Sequence, residues 1–202
     1  RMDDSVIFDF ETLSQNPQEG VVLSFAMLTF EEKKLWEYPY KYHELVEKAS
    51  YIKFDVKDQV ENFGRKIDPD TLKWWSSQGV EAQKQLKPDP SQDRSILELH
   101  DWFDMNVQRG SLKKVWSRRN TFDPVFMSSI MRCTGHKDPY DWWLVRDTIS
   151  YINGLTWGTS IKDNFMPDGV GKDFVLHDPV SDIALDVMRL QELTKSLYMD
   201  DE

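Results

Sequence analysis

Cysteine is almost absent from this sequence, since Cys133 is the single cysteine among 202 residues. One thiol excludes an intramolecular disulfide framework and suits a reducing compartment. Internal repeats and low-complexity tracts are also missing, while 40% of the residues are hydrophobic and 13% are aromatic. A chain of this length and composition can bury a sizeable core, so we expect one globular domain over residues 1–202.

Long apolar runs are absent as well. No stretch approaches the roughly 18 consecutive apolar residues that a membrane-spanning helix needs. The first residues also lack the charged and apolar regions of a secretory signal. These absences, together with the lone thiol, lead us to expect a cytoplasmic protein with no membrane partner.

Basic residues are too few for a broad cationic surface. The sequence has 25 Lys and Arg against 35 Asp and Glu, which gives a formal net charge of −10 at pH 7. This balance argues against a protein that holds nucleic acid mainly through a wide basic face. It leaves open an enzyme with an acidic centre, because divalent cations can bridge carboxylates to the phosphates of a few nucleotides.

Two carboxylates end the first apolar run, SVIFDFETLS at residues 5–14. The pattern predicts a β-strand over 5–10, and alternate strand side chains point to opposite faces, so Asp9 and Glu11 share one face. Their like charges repel unless a cation lies between them. On spacing alone, the alternative that both side chains simply reach solvent at the strand end is equally good.

The remaining patterns predict strands first, and then a mixture of strands and helices. Strands are predicted over 20–30, about 34–39, 113–117 and 142–147, and helices from Asp68 onward and over 91–108, 123–133 and 177–198. This order predicts an α/β fold with a central mixed sheet flanked by helices.

Asp123 opens one of these helices, where an ordinary helix cap is the simpler interpretation. The Gly-rich loop 153–173 is expected at the surface, near a site.

A histidine precedes an aspartate by five residues in two places, His177 with Asp182 and His136 with Asp141. Spacing cannot choose between the two pairs. His136 lies among Gly, Lys, Asp and Pro, as in an exposed connection. Asp182 instead opens the long amphipathic helix, which can hold it rigidly against a sheet. The sequence therefore favours His177 and Asp182.

Taken together, these residues resemble the DEDDh family of 3′–5′ exonucleases, whose members share the RNase H-like (DnaQ-like) fold. The resemblance runs from about residue 5 to 195. The three family motifs occur in the expected order, D-x-E-T as Asp9 to Thr12, F-D before a helix as Phe122-Asp123, and H-x-x-x-x-D as His177 to Asp182.

One branch of the family, the exonuclease A type of T-even phages, is resembled more closely. The matching stretches are TLKWWSSQGVEAQK (71–84), the Trp116-x-Arg118 pattern before Phe122-Asp123, LVRD (144–147) and HDPVSD (177–182). This likeness implies a phage-encoded enzyme of the host cytoplasm. One departure concerns Arg119, because many family members carry Asn at the position four residues before the second-motif aspartate.

The resemblance implies a two-metal hydrolase that releases nucleoside 5′-monophosphates. Its four carboxylates would converge on two divalent cations, Mg²⁺ or Mn²⁺, because these ions prefer hard oxygen ligands. Asp9 would contact both ions, with Glu11 and Asp182 helping to hold one of them. Asp123 would serve the other ion. His177 would be the general base, because an imidazole can take a proton near neutral pH.

The resemblance also implies contacts with the substrate, which we expect to be a single-stranded DNA 3′ end. The backbone of Phe10 and Thr12 would lie near the terminal 3′-hydroxyl, and Leu13 would pack on the terminal base. Such an apolar contact reads no base edge, so little sequence specificity is expected. The basic segment KKVWSRRN (113–120) could meet phosphates or form a solvated turn. Of the adjacent Trp74 and Trp75, at most one is expected to be exposed for stacking.

Other functions stay open at this point. The acidic motifs do not choose between sugars, so an exoribonuclease of the oligoribonuclease or RNase T kind is an alternative. A second alternative is an inactive exonuclease-like module that binds a polymerase or another partner, although the intact five catalytic positions argue against it. A third is an acidic α/β domain with coincidental motifs. Whether the protein is a monomer or a dimer is undecided by the sequence.

Overall fold

A five-stranded mixed sheet forms the centre of the computed structural model, which describes residues 2–199 without the side chain of Met199. The strands are β1 (Ser5–Thr12), β2 (Val22–Phe30), β3 (Ser50–Lys53), β4 (Lys114–Ser117) and β5 (Val145–Asp147). Their order across the sheet is β3-β2-β1-β4-β5. β1 lies in the middle, antiparallel to β2 and parallel to β4. The predicted central mixed sheet is therefore present.

Helices lie on both faces of the sheet. Within the described residues they are α1 (Lys34–Glu37), α2 (Tyr42–Lys48), α3 (Val56–Phe63), α4 (Pro69–Ser76), α5 (Val80–Gln83), α6 (Leu99–Met105), α7 (Asp123–Cys133), α8 (Thr148–Leu155) and α9 (Pro179–Met199). The bounds of α7 match the prediction, and α4 begins after Asp68, whose carboxylate accepts a hydrogen bond from the backbone N–H of Asp70. Asp147 caps α8 by accepting a hydrogen bond from the N–H of Ser150.

Three sequence predictions about local structure are wrong. In the strand predicted over 142–147, the first half forms a 3-10 turn, Trp142–Leu144, and only β5 is extended. The segment at about 34–39 forms the single turn of α1 instead of a strand, because its N–H groups bond to carbonyls three or four residues earlier. The helix predicted over 91–108 is confined to α6, preceded by a 3-10 turn over Ile96–Glu98. Ser95 sets that start, since its hydroxyl accepts from the N–H of Leu97 while Glu98 accepts from the N–H of Ser95.

The alternation of β1 decides which side of the sheet the site occupies. Val6, Phe8 and Phe10 belong to a core cluster that also contains residues of α6 and α7. Ile7 points the other way, into a second cluster with the apolar residues of α9. Because strand side chains alternate, Asp9 and Glu11 also face α9.

Helix α9 covers that face with the apolar stripe that the sequence predicts. Ile183, Ala184, Val187 and Leu190 are each no more than 2% exposed. The burial of this stripe fixes the rotation of the helix, so the first turn of α9 is brought over the end of β1. Between residues 2 and 199, no helix combines the length and apolar character needed to cross a membrane.

Candidate active site

Three of the predicted metal ligands meet at the end of β1. Asp9 and Glu11 project from the strand, and Asp182 lies in the first turn of α9. One carboxylate oxygen from each of these three residues lies within 4.8 Å of the other two. The pairing of β1 with β2 shifts register between Glu11 and Thr12, an irregularity that is common beside active sites.

Asp123 reaches the same place from the start of α7. It is 2% exposed, and its Oδ1 accepts a hydrogen bond from the backbone N–H of Phe10 at 3.0 Å. Phe10 lies between Asp9 and Glu11 on β1, so this bond holds the fourth carboxylate beside the other three. Asp123 therefore does more than open a helix, because it also ties α7 to the central strand. We call these four residues the acidic cluster.

Burial, together with neighbouring acids, disfavours the ionised form of each member of the acidic cluster. Burial, followed by the charges of Asp123 and Glu11, raises the pKa of Asp9 well above its usual range. Burial, followed by the charges of Asp182 and Asp123, does the same to the pKa of Glu11. Burial raises the pKa of Asp123 to about 8, although the bond from Phe10 lowers it. Burial, followed by neighbouring acids, raises the pKa of Asp182 to about 7.

The donor set fits hard divalent cations. Every ligand atom in the acidic cluster is a carboxylate oxygen, which is the ligand type that Mg²⁺ and Mn²⁺ prefer. The single thiol, on Cys133, lies at the opposite end of α7. A bound cation would also relieve the repulsion that raises the pKa values. Asp9, Glu11 and Asp182 are the residues placed to hold it.

His177 precedes α9 and lies beside the acidic cluster. It lines a cavity of about 290 Å³ together with Asp9 and Asp182. Its ring meets that of Trp74 edge to face, with centroids 4.8 Å apart. Burial lowers the pKa of the imidazole from its usual value. A neutral imidazole at neutral pH is the form that a general base requires.

A second cavity, of about 470 Å³, adjoins the acidic cluster through Glu11. Phe10, Thr12 and Trp74 also line it. Trp74 is 42% exposed, whereas Trp75 is 1% exposed and its indole N–H donates to the carbonyl of Thr12 at 2.8 Å. As predicted, one of the two adjacent tryptophans is buried and the other offers a face to a ligand.

Leu13 differs from the other predicted substrate contacts. Phe10 and Thr12 line the second cavity, but Leu13 is 3% exposed and belongs to a buried cluster with Leu23 and Trp75. A contact between Leu13 and a terminal base stays a prediction. It requires that a side chain buried here become accessible.

Asp186 is a fifth acid, which the sequence patterns did not reveal. It lies one turn after Asp182 on α9 and is 3% exposed. Arg118 and Arg189 each donate to its Oδ1 at 2.7 Å, and Arg118 also donates to the carbonyl of Asp163 at 3.2 Å. Arg118 is thus directed into the protein as a counter-ion. The sequence feature that could have revealed Asp186 is its spacing of four residues from Asp182, which places both acids on one side of the same helix.

The competing pair, His136 and Asp141, lies elsewhere. The His136 ring stacks on that of His100, with centroids 4.5 Å apart, and nitrogens of these rings contact Asp101 and Thr134. Asp141 is exposed before a 3-10 turn. Neither His136 nor Asp141 is among the described residues that line the two cavities. The geometry therefore favours His177 and Asp182, in agreement with the prediction based on the long amphipathic helix.

Comparison with known proteins gives a family match over most of the chain. The sequence model described as the 3′–5′ exoribonuclease Rv2179c-like domain matches residues 4–182. The exodeoxyribonuclease of Enterobacteria phage T4 is 27% identical over 201 residues, an alignment that covers 92% of this chain and 86% of that relative.

Solved structures of exonuclease I are similar in fold. The zinc-bound complex of E. coli exonuclease I with single-stranded DNA has a TM-score of 0.60 and 11% identity, covering 98% of this chain and 41% of that one. The apo form of exonuclease I also has a TM-score of 0.60 and 11% identity, covering 97% of this chain and 42% of that one. This chain thus spans about two fifths of the length of exonuclease I. At such identities the likeness establishes the fold.

These findings confirm two sequence predictions, the resemblance to the DEDD exonucleases and the RNase H-like arrangement of a mixed sheet with flanking helices. The family model covers residues 4–182 of 202. The chain therefore belongs to the Rv2179c-like 3′–5′ exoribonuclease domain family and is a 3′–5′ exonuclease.

Proposed function

We propose that this enzyme is a metal-dependent 3′–5′ exodeoxyribonuclease that releases nucleoside 5′-monophosphates from the 3′ end of DNA. The observation that carries the proposal is the convergence of the acidic cluster beside His177. Carboxylates that converge next to a neutral imidazole supply both the metal ligands and the base that phosphodiester hydrolysis requires.

In this proposal the acidic cluster would hold two divalent cations, Mg²⁺ or Mn²⁺. Asp9, Glu11 and Asp182 would hold one ion, and Asp123 and Asp9 would hold the other. When bound, the ions supply positive charge that stabilises the attacking and leaving oxygens of the in-line displacement. The raised pKa values of the cluster support this assignment, since they mark a place where positive charge is favourable.

His177 acts as the general base. It takes a proton from the attacking water, whose oxygen forms a bond to phosphorus. The bond from phosphorus to the 3′-oxygen of the preceding nucleotide breaks, and that oxygen takes up a proton from solvent. The products are a nucleoside 5′-monophosphate and a strand one nucleotide shorter with a free 3′-hydroxyl. The lowered pKa of the imidazole supports this role, because it keeps the ring unprotonated near neutral pH.

The terminal nucleoside occupies the second cavity. The backbone of Phe10 and Thr12 lies near its 3′-hydroxyl, and Leu13 packs on its base if the side chain becomes accessible. Trp74, which is 42% exposed, stacks on a base. Stacking is tolerant of sequence because every base has a π-face. We therefore propose single-stranded 3′ ends with little sequence preference as substrates.

The choice of DNA rests on the T4 relative, which is named an exodeoxyribonuclease and aligns with 92% of this chain. A second candidate is an exoribonuclease, which the description of the matching family favours. The acidic cluster acts on phosphate oxygens, which both polymers share. Contacts to the 2′-hydroxyl decide between them, so the two candidates must be separated by experiment.

The test is digestion of matched DNA and RNA oligonucleotides of one sequence, labelled at either end, with Mg²⁺. EDTA, His177→Ala and Asp182→Ala serve as controls. The proposal expects immediate mononucleotide release from 3′-labelled DNA and a ladder of shortened 5′-labelled products. Both should be lost in all three controls.

Three other outcomes would change the proposal. Faster loss of RNA than of DNA would favour the exoribonuclease. Cleavage that persists in His177→Ala would remove the assigned base. Binding of metal without cleavage of either polymer would leave an inactive module that binds a partner.

A further inference from the structure

The backbone of His177 adopts a conformation that its side chain does not favour. Its φ angle is +64°, in the left-handed region that residues with a Cβ rarely occupy. Such a conformation persists only where the surrounding structure holds it. The next residue, Asp178, begins the capping of α9 by accepting a hydrogen bond from the N–H of Val180 at 2.9 Å. His177 is thus the residue at which the chain turns into the helix.

One buried side chain holds the carbonyl of His177. The Nε2 of Gln85 donates to His177 O at 2.7 Å, and the Oε1 of Gln85 accepts from the hydroxyl of Ser24. Gln85 is 8% exposed and Ser24 is 0% exposed. Ser24 is the residue of β2 that pairs with Glu11 of β1. Two hydrogen bonds therefore connect the sheet, at the strand partner of Glu11, to the backbone of His177.

We propose that Gln85 is a positioning residue for the exonuclease reaction. It fixes the backbone of His177, so that the imidazole faces the cavity shared with Asp9 and Asp182. The inference rests on the proposed function, in which His177 is the general base. Gln85 is not among the described residues that line the two cavities of the site, so it acts through His177 and not on the substrate.

The chemistry of the connection accounts for the residue type. The Ser24 hydroxyl meets an acceptor and the His177 carbonyl meets a donor, and a side-chain amide supplies both without charge. A glutamate would place a second acceptor against the carbonyl. An apolar residue would leave the carbonyl and the hydroxyl without their partner. Buried polar groups in native proteins are generally bonded, and here both ends of the amide are.

The first test is Gln85→Met, which keeps length and burial but removes both hydrogen bonds. A general base must lie within about 2.6–3.2 Å of the oxygen whose proton it takes, and a misplacement of about 1 Å can cost on the order of a hundredfold in rate. We expect kcat on a DNA oligonucleotide with Mg²⁺ to fall by about 10-fold to 100-fold, with KM nearly unchanged.

Gln83→Met is the matched control. Gln83 lies two residues away on the same segment, and its amide donates to the carbonyls of Ser76 and Gln78 instead of His177. We expect its kcat to stay within about twofold of the parent enzyme. Gln85→Glu is a second test variant. It keeps an acceptor toward Ser24 and replaces the donor to His177 with a carboxylate oxygen, so the proposal remains testable if Gln85→Met does not fold.

A double mutant separates positioning from general structural damage. If Gln85 acts through His177, adding Gln85→Met to His177→Ala produces no further loss of the residual kcat, measured at high enzyme concentration, because residues that act as a unit are non-additive. A full additional loss in the double mutant would overturn the proposal, as would a kcat for Gln85→Met and Gln85→Glu equal to that of Gln83→Met.

The same experiment separates this inference from the proposed function. If His177→Ala itself keeps the kcat of the parent enzyme, the general-base assignment fails and the inference fails with it. If His177→Ala is inactive while both Gln85 variants are fully active, only the role of Gln85 is overturned.

Discussion

The backbone N–H of Phe10 donates a 3.0 Å hydrogen bond to the Asp123 carboxylate, joining residues that are 113 positions apart in the sequence. Asp123 therefore has two separable properties. As an acceptor it satisfies a buried N–H of the central strand, and as an anion it contributes charge to the acidic cluster. An asparagine keeps an acceptor oxygen and loses the charge, whereas an alanine loses both.

The first prediction compares Asp123→Asn with Asp123→Ala. In EDTA, Asp123→Ala should lower the free energy of unfolding by about 1–3 kcal/mol, because the buried N–H of Phe10 loses its acceptor. Asp123→Asn should be at least as stable as the parent protein, since it keeps the acceptor and removes a buried acid whose ionisation is unfavourable. Both variants should lose at least about 100-fold in exonuclease activity if Asp123 is the metal ligand that we propose. Urea unfolding and oligonucleotide digestion measure the two effects.

The opposite order of stabilities would contradict this account. If Asp123→Asn unfolded at lower urea concentration than Asp123→Ala, the hydrogen bond from Phe10 would not be the main structural contribution of Asp123. If Asp123→Asn kept full activity, its charge would not be needed for metal binding.

The second prediction concerns the pH dependence of stability without metal. The pKa values of Asp182 and Asp123 are raised to about 7 and about 8, so the folded protein binds more protons than the unfolded chain from about pH 4 to pH 8. Stability falls with pH wherever the folded state binds more protons. In EDTA the free energy of unfolding should therefore decrease across this window, by about 1.4 kcal/mol per pH unit for each proton involved.

Thermal unfolding from pH 5 to pH 8.5, with EDTA or with Mg²⁺, tests this dependence. Mg²⁺ should stabilise the protein more at pH 8 than at pH 5, because the cation then replaces protons that have dissociated. Asp182→Asn should reduce both the slope in EDTA and the stabilisation by Mg²⁺. A stability that rises with pH in EDTA would show that other groups outweigh the acidic cluster.

The acidic cluster was predictable because its chemistry follows from local pattern and motif order. Alternation placed Asp9 and Glu11 on one face, and amphipathic spacing gave the buried stripe of α9 that carries Asp182. The turn of α1 was not predictable, since a short run with the single buried residue Leu35 fits a strand as well as a helix. Gln85 was also not predictable, because its two partners lie 61 and 92 residues away. Only the folded chain brings these groups together.

The third prediction is that Trp74 contributes to substrate binding. Its exposed ring lines the second cavity and contacts the ring of His177. Stacking of a base on an aromatic ring contributes about 1–3 kcal/mol, so Trp74→Ala should raise KM for a single-stranded oligonucleotide by about 5-fold to 150-fold. Steady-state digestion measures KM and kcat separately.

Trp142→Ala is the matched control for this measurement. Trp142 is 78% exposed and is not among the described residues lining the two cavities. Its replacement should leave KM unchanged. Equal effects of the two substitutions would argue against a specific stacking role for Trp74.

The last prediction distinguishes two roles for Arg118, which the sequence placed in a basic segment able to meet phosphates. In the structure its guanidinium donates to Asp186, whose side chain is 4% exposed. Arg118→Met leaves Asp186 with Arg189 as its remaining cation. The free energy of unfolding should therefore fall by about 2 kcal/mol. This loss is smaller than the usual cost of breaking a fully buried pair, because Arg118 is 27% exposed. The double variant Arg118→Met with Asp186→Asn should lose less free energy of unfolding than the two single variants lose together. In the double variant the charge of Asp186 is removed along with its partner Arg118. Urea unfolding of the parent protein, the two single variants and the double variant in EDTA measures the coupling energy between Arg118 and Asp186. Additive losses, accompanied by a raised KM for DNA, would instead assign Arg118 to the phosphate backbone of the substrate.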